Sequence, residues 1–169
     1  MKRGVVLLSL LLLATACEKN NYSTYSTKHK VFFSCDIMLS PFNQTTPGRF
    51  LSVRKKDGKL HMIDSDGNKY DQELTAIQDG SFILGLAGLI IGTPILDNYD
   101  QSVWAYDLGC PECNSPATRL KFDLQGIASC SKCEGTWDLN NHGFATDGKS
   151  RPLYRYPTSM NNGILTVSN

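Results

Sequence analysis

Four cysteines constrain this chain more than any other feature. Cys110-Pro111-Glu112-Cys113 and Cys130-Ser131-Lys132-Cys133 form two Cys-x-x-Cys pairs with sixteen residues between them. Each pair can make a tight turn that directs two sulfurs, and its own backbone amides, at one point. Between the pairs, Thr118 to Leu124 reads as an outgoing strand, Gln125-Gly126 as a turn and Ile127 to Ser129 as the return. Such a hairpin would close the pairs into a four-thiolate pocket. The expected ligands are Cys110, Cys113, Cys130 and Cys133. Their chemistry suits Zn²⁺ or a single iron, and in principle a 2Fe-2S cluster. Disulfides are the competing use of the same cysteines, and compartment decides how strongly they compete.

The N-terminus reads as an address. Lys2 and Arg3 precede the apolar run Val5 to Leu13, and Ala14-Thr15-Ala16 places small residues before Cys17. The run is too short to span a bilayer, so residues 1–16 are expected to be a removable signal peptide. A cysteine directly after the small residues resembles the bacterial lipoprotein processing site. That resemblance implies lipidation of Cys17 and a domain anchored, without spanning, in the cell envelope, with the outer membrane the expected location. Residues 17–29 are polar and lack apolar periodicity, which predicts a flexible tether.

Residues 30–169 are enough for one domain with a substantial core. The formal net charge of +1 becomes −1 once Lys2 and Arg3 are removed, and no basic stripe occurs, which argues against a nucleic-acid partner. Strand signals dominate, and no twelve-residue stretch carries a helical period. Val31, Phe33, Cys35 and Ile37 alternate with polar residues or Phe32, so Cys35 is expected to be a core thiol. Asp57-Gly58 and Asp66-Gly67 read as hairpin turns, and Asp64 to Asn68 lacks the spacing of a calcium loop. Leu89-Ile90-Ile91 reads as a buried central strand, and Ser102 to Leu108 as the strand that delivers the chain to Cys110. His29 and His61 read as structural or solvent-facing, and His142 as a turn residue. Asp97, Asp100, Asp107 and Glu112 read as solvated carboxylates in or beside turns.

From residue 80 onward the chain resembles the Rieske fold family. Ala105 to Pro111 resembles the approach to that family's first ligand pair. Cys130 and Cys133 match the second pair, and Trp137-Asp138 its aromatic-Asp pair. Gly85 to Gly92 resembles the strand before the first ligands. Gly143 to Gly148, Arg151 to Tyr156 and Asn162 to Val167 resemble the closing loop and last hairpin. Over residues 30–80 the resemblance is one of character only. It implies an all-β fold, a Rieske-like sandwich or barrel base carrying a small zinc-ribbon- or rubredoxin-like metal-binding subdomain at about residues 108–139.

The departures fall on the ligands. Glu112 stands at the family's first histidine position with Cys113 after it, and Cys133 stands at the second. Two neutral imidazoles thus give way to two thiolates, which would lower the potential of any iron centre. The signal also lacks a twin-arginine pair, so the chain is expected to be exported unfolded and to find its metal outside, where Zn²⁺ is the more available ion. The expected function is a membrane-anchored module with a structural metal site, acting through its surface on an unidentified protein partner. The alternative is an electron carrier with mononuclear iron or a 2Fe-2S cluster. No Gly-x-Ser-x-Gly, phosphate loop or His-Glu-x-x-His occurs, so no catalytic residues are assigned.

Overall fold

The computed structural model describes residues 25–42, 46–95 and 102–169. The signal, Cys17, most of the tether and the turn with Asp97 and Asp100 lie outside them. The described residues are nearly all β, as expected. In chain order the strands are β1 (Val31–Asp36), β2 (Arg49–Lys56), β3 (Lys59–Asp64), β4 (Lys69–Glu73), β5 (Ile83–Leu84), β6 (Leu89–Thr93) and β7 (Trp104–Asp107). Then follow β8 (Lys121–Phe122), β9 (Ile127–Ser129), β10 (Thr136–Asp138), β11 (Phe144–Ala145), β12 (Arg155–Tyr156), β13 (Thr158–Asn161) and β14 (Ile164–Ser168).

These strands form three antiparallel sheets. The largest is ordered β12-β7-β6-β2-β3-β4; the others are β13-β14-β1-β5 and β11-β10-β9-β8. The large sheet is the middle layer. Leu51, Val53, Leu89, Ile91 and Ala105 face one way and join Val31, Phe33, Leu165 and Val167 of the β1–β14 sheet in one core. Phe50, Ile90, Trp104 and Tyr106 face the other way and join Ala128, Trp137 and Ala145 of the small sheet in a second core, together with Cys110 and Cys130. Successive side chains of a strand point to opposite faces. A strand covered on both faces therefore reads as a continuous apolar run, which explains why Leu89-Ile90-Ile91 has no polar partner positions.

The turns follow their residues. Asp57 (φ 54°) and Gly58 (φ 72°) take left-handed backbone between Lys56 and Lys59, which are paired in the β2–β3 ladder. Asn162 (φ 49°) and Gly163 (φ 80°) repeat this between β13 and β14. At the Asp66-Gly67 turn, Asp64 accepts hydrogen bonds from the amides of Asp66 and Asn68, the Asn68 side chain and the Tyr70 hydroxyl. Its carboxylate is thus occupied by its own turn. One helix was not expected: α1 (Ala76–Ser81), six residues closed by a Thr75–Gln78 capping box. A twelve-residue period cannot register an element that short.

The end of the expected tether is fastened. The Ser26 amide donates to the Arg155 carbonyl at 2.7 Å. The Asn169 side-chain amide donates to the carbonyls of Ser26 (3.0 Å) and His29 (2.8 Å), and its oxygen accepts from the Val31 amide. Residues 25–29 therefore differ from the expected free linker, because the last residue of the chain clamps them.

Candidate metal centre

β7 delivers the chain to the first Cys turn. There the Asn114 amide donates to the Cys110 carbonyl at 2.9 Å, and the Cys110 amide to the Thr118 carbonyl at 3.1 Å. β9 delivers it to the second, where the Glu134 amide donates to the Cys130 carbonyl and the Cys130 amide to the Gly135 carbonyl, each at 3.0 Å. The two turns are equivalent. In both, the residue after the second cysteine is left-handed: Asn114 at φ 45° and Glu134 at φ 61°. Asparagine tolerates this region, but glutamate is strained there by about 1 kcal/mol. Glu134→Gly is therefore expected to raise the melting temperature by about 2–4 °C, read by calorimetry. Asn114→Gly should gain less, because the Asn114 side chain accepts a hydrogen bond from the Tyr154 hydroxyl at 3.2 Å.

The four sulfurs meet. Sγ of Cys110 lies 3.5 Å from Sγ of Cys133, and Sγ of Cys113 lies 3.8 Å from Sγ of Cys130. All four fall within 4.8 Å of one another. A metal–sulfur bond of about 2.3 Å gives a tetrahedron with edges of about 3.8 Å, so the donor set can hold a metal ion. None of these cysteines is disulfide-bonded. Cys110 and Cys130 are buried, Cys113 is half-buried and Cys133 is exposed. Burial pushes the Cys110 thiol up. It would also raise Cys130, but the amides of Cys133 and Lys132 and the neighbouring thiols bring Cys130 down to about 7. A thiol that deprotonates readily is suited to ligation.

Trp137 is the keel of the small lobe. It is fully buried, and its indole nitrogen donates to the Arg151 carbonyl at 2.8 Å. The 147–151 segment is held from both ends. Glu112, inside the first Cys turn, accepts the Arg151 amide at 2.7 Å, and this bond chiefly holds its carboxyl below the usual range. Asp147 accepts from the amides of Ser150 and Lys149 and from the Ser150 hydroxyl, which lower it to about 2. A depressed carboxylate stabilises the fold above its ordinary value and loses that contribution as pH falls through the folded one. The 147–151 turn is thus expected to stay closed at pH 4 and open towards pH 2. An NMR titration of the Asp147 carboxyl carbon checks the midpoint.

Two residues that join this lobe to the base carry no motif. The Tyr154 hydroxyl, which donates to Asn114, also lies 3.5 Å from the Pro111 carbonyl, and the Tyr154 ring packs against His29 and Lys28. Tyr154 therefore links the first Cys turn to the fastened end of the tether. Asp107 corrects the expectation of a solvated carboxylate: it is 0% exposed. Oδ1 accepts the amides of Gly109 (2.7 Å) and Ala87 (3.2 Å), and Oδ2 accepts the Leu86 amide (2.6 Å) and the Tyr156 hydroxyl (2.6 Å). Gly85 (φ 65°) must lack a side chain, because a Cβ there would strike Asp107 Oδ2 and the Tyr156 hydroxyl. Burial raises the Asp107 pKa, and these four donors oppose the rise. A single carboxylate inside the apolar run Trp104 to Leu108 was the available signal for it.

The remaining residues behave more plainly. Cys35 is half-buried and packs against the first core, where burial, then Asp36, pushes its thiol up to about 12. His142 is left-handed in its turn, stacks on Trp104 at 4.5 Å and meets Arg155 at 3.0 Å through Nδ1. His61 pairs with Asp71 across the β3–β4 ladder at 2.8 Å. No helix among the described residues is long and apolar enough to cross a membrane.

No protein-family model matches the chain, and no curated protein matches it. Among solved structures it is similar to a ferredoxin of Sphingomonas yanoikuyae B1, at 17% sequence identity and a TM-score of 0.33, over 52% of this chain and 83% of that one.

Proposed function

We propose that this chain is a lipid-anchored module of the bacterial cell envelope whose four cysteines hold one Zn²⁺ as a structural site. The observation that carries the reading is the mutual separation of the sulfurs, none more than 4.8 Å from another. Two sulfide-bridged irons spread their four cysteines over two metals, so this compact span favours a single ion. Four protein sulfurs leave no open position for water or substrate, which supports a closed, structural role. Zn²⁺ carries no redox chemistry, so the module would act through its surface on a protein partner. The lipoprotein-like segment ending at Cys17 supports the anchor and the location.

The second reading is an electron carrier with mononuclear iron. The exposure of Cys133 favours it by placing this ligand near a redox partner's surface, and the Rieske resemblance points the same way. Metal analysis and a visible spectrum of protein purified from the envelope decide between them. One zinc per chain and no colour supports the structural site. One iron with red absorption supports the carrier, and two irons with labile sulfide would overturn the single-ion geometry. Incorporation of a clickable fatty acid into the wild type, and its loss in Cys17→Ala, tests the anchor separately.

A further inference from the structure

A basic cleft lies where the base meets the lobe of the first Cys turn, and the metal reading does not use it. It has a volume of about 300 Å³ and is walled by the Leu84–Gly88 turn and Pro116, with Arg54, Lys55, Lys56 and Arg119 as its charged residues. No carboxylate lines it. Elsewhere on the base, Arg49 is paired with Asp66 and Lys59 with Glu73. Within the cleft, Lys55 is committed to the carbonyls of Asp79 and Phe82 and lies 3.6 Å from the Asp79 carboxylate, and Lys56 lies 3.6 Å from Asp57. The two arginines differ. The Arg54 side chain has no hydrogen bond or ion pair among the described residues. Arg119 donates only Nε, to the Ala87 carbonyl at 3.4 Å, leaving both terminal nitrogens unengaged among those residues.

The arginines converge on one peptide. Arg119 reaches Ala87, and the Arg54 stem lies against Gly88, where an added Cβ would come within 3.0 Å of Arg54 Cγ. The backbone of that turn has no donor to offer. The Gly85 amide goes to the Lys30 carbonyl, those of Leu86 and Ala87 to Asp107, and that of Gly88 to the Leu84 carbonyl. Recognition in the cleft therefore rests on the side chains.

We propose that this cleft binds a phosphate group between the guanidiniums of Arg54 and Arg119, with Lys56 at the rim. One planar fork saturates a carboxylate, whereas a tetrahedral dianion has oxygens enough for two forks. The volume is at the lower end of the range for small-ligand sites, which suits a phosphate group and its immediate substituent. The phosphate can come from a soluble ester or from a lipid headgroup.

Isothermal titration of the full chain with inorganic pyrophosphate tests the site. Saturable one-to-one binding is expected, weakened about tenfold or more by Arg54→Gln and by Arg119→Gln, and less by Arg119→Lys. Lys59→Gln, which removes a cation held by Glu73 instead, should leave it unchanged. Metal content is measured on every variant, so failure here is distinguishable from failure of the metal reading. If Arg119→Gln disturbs the neighbouring Cys turn, Arg54→Gln on β2 still decides. Co-sedimentation with phosphatidic acid vesicles, lost in Arg54→Gln, assigns the headgroup; pyrophosphate binding without it assigns a soluble ester. No saturable binding to either probe, or an equal loss in Lys59→Gln, overturns the proposal.

Discussion

On the proposed structural-zinc reading, Cys130→Ser is expected to abolish metal binding and unfold the small lobe while the base stays folded. Serine supplies no thiolate, and the three remaining sulfurs hold an ion much more weakly. Four-thiolate structural zinc contributes on the order of 10–16 kcal/mol of apparent binding energy that is also folding energy. The ladders of the small sheet are short, its strands β8 to β11 running only two or three residues each. The base keeps a core of its own, built from Phe33, Val53, Leu89, Val167 and their neighbours on the far face of the central sheet. Bound metal should fall to under about a tenth of wild type, and hydrogen exchange should accelerate in residues 108–139 and spare β1 to β6. Cys35→Ser is the control, because Cys35 packs against that far core and should leave metal content untouched. Full metal retention by Cys130→Ser would show that the sulfurs do not form one site.

Asp107→Ala is expected to cost about 3–5 kcal/mol, a fall of about 10 °C in melting temperature. The substitution removes both acceptors from three backbone amides and a tyrosine hydroxyl, and leaves those donors buried. Asn is no rescue. Each carboxylate oxygen accepts two bonds, so an amide nitrogen in either place would face an N–H. Asp107→Asn should therefore cost at least half as much as Asp107→Ala, whereas Tyr156→Phe removes one donor with its acceptor still served and should cost about 1–2 kcal/mol. Denaturant titration of the three variants separates these values. Equal, small effects would mean that the carboxylate is not the joint between the Leu84–Gly88 turn, β7 and β12.

The four-cysteine cluster was legible because its information is local. Cys-x-x-Cys spacing makes a turn that converges two sulfurs whatever lies around it, and the hairpin between the pairs is short. The strand at Leu89-Ile90-Ile91 and the turns at Asp57-Gly58 and Asp66-Gly67 were legible for the same reason. Helix α1 was not, being shorter than the period that reveals helices. The clamped residues 25–29 were not, because the group that holds them, Asn169, lies about 140 residues away in the chain.

By itself the sequence determined which residues can ligate, where the chain turns and that strands would dominate, since each of these depends on neighbours within a few positions. Only the tertiary structure decided that the central sheet is covered on both faces, that Asp107 is a buried joint and that Arg54 and Arg119 flank one cleft. Those facts depend on which distant strands lie side by side. A carboxylate or guanidinium has the same character in the sequence whether it meets water, a ring of amides or an unfilled cleft.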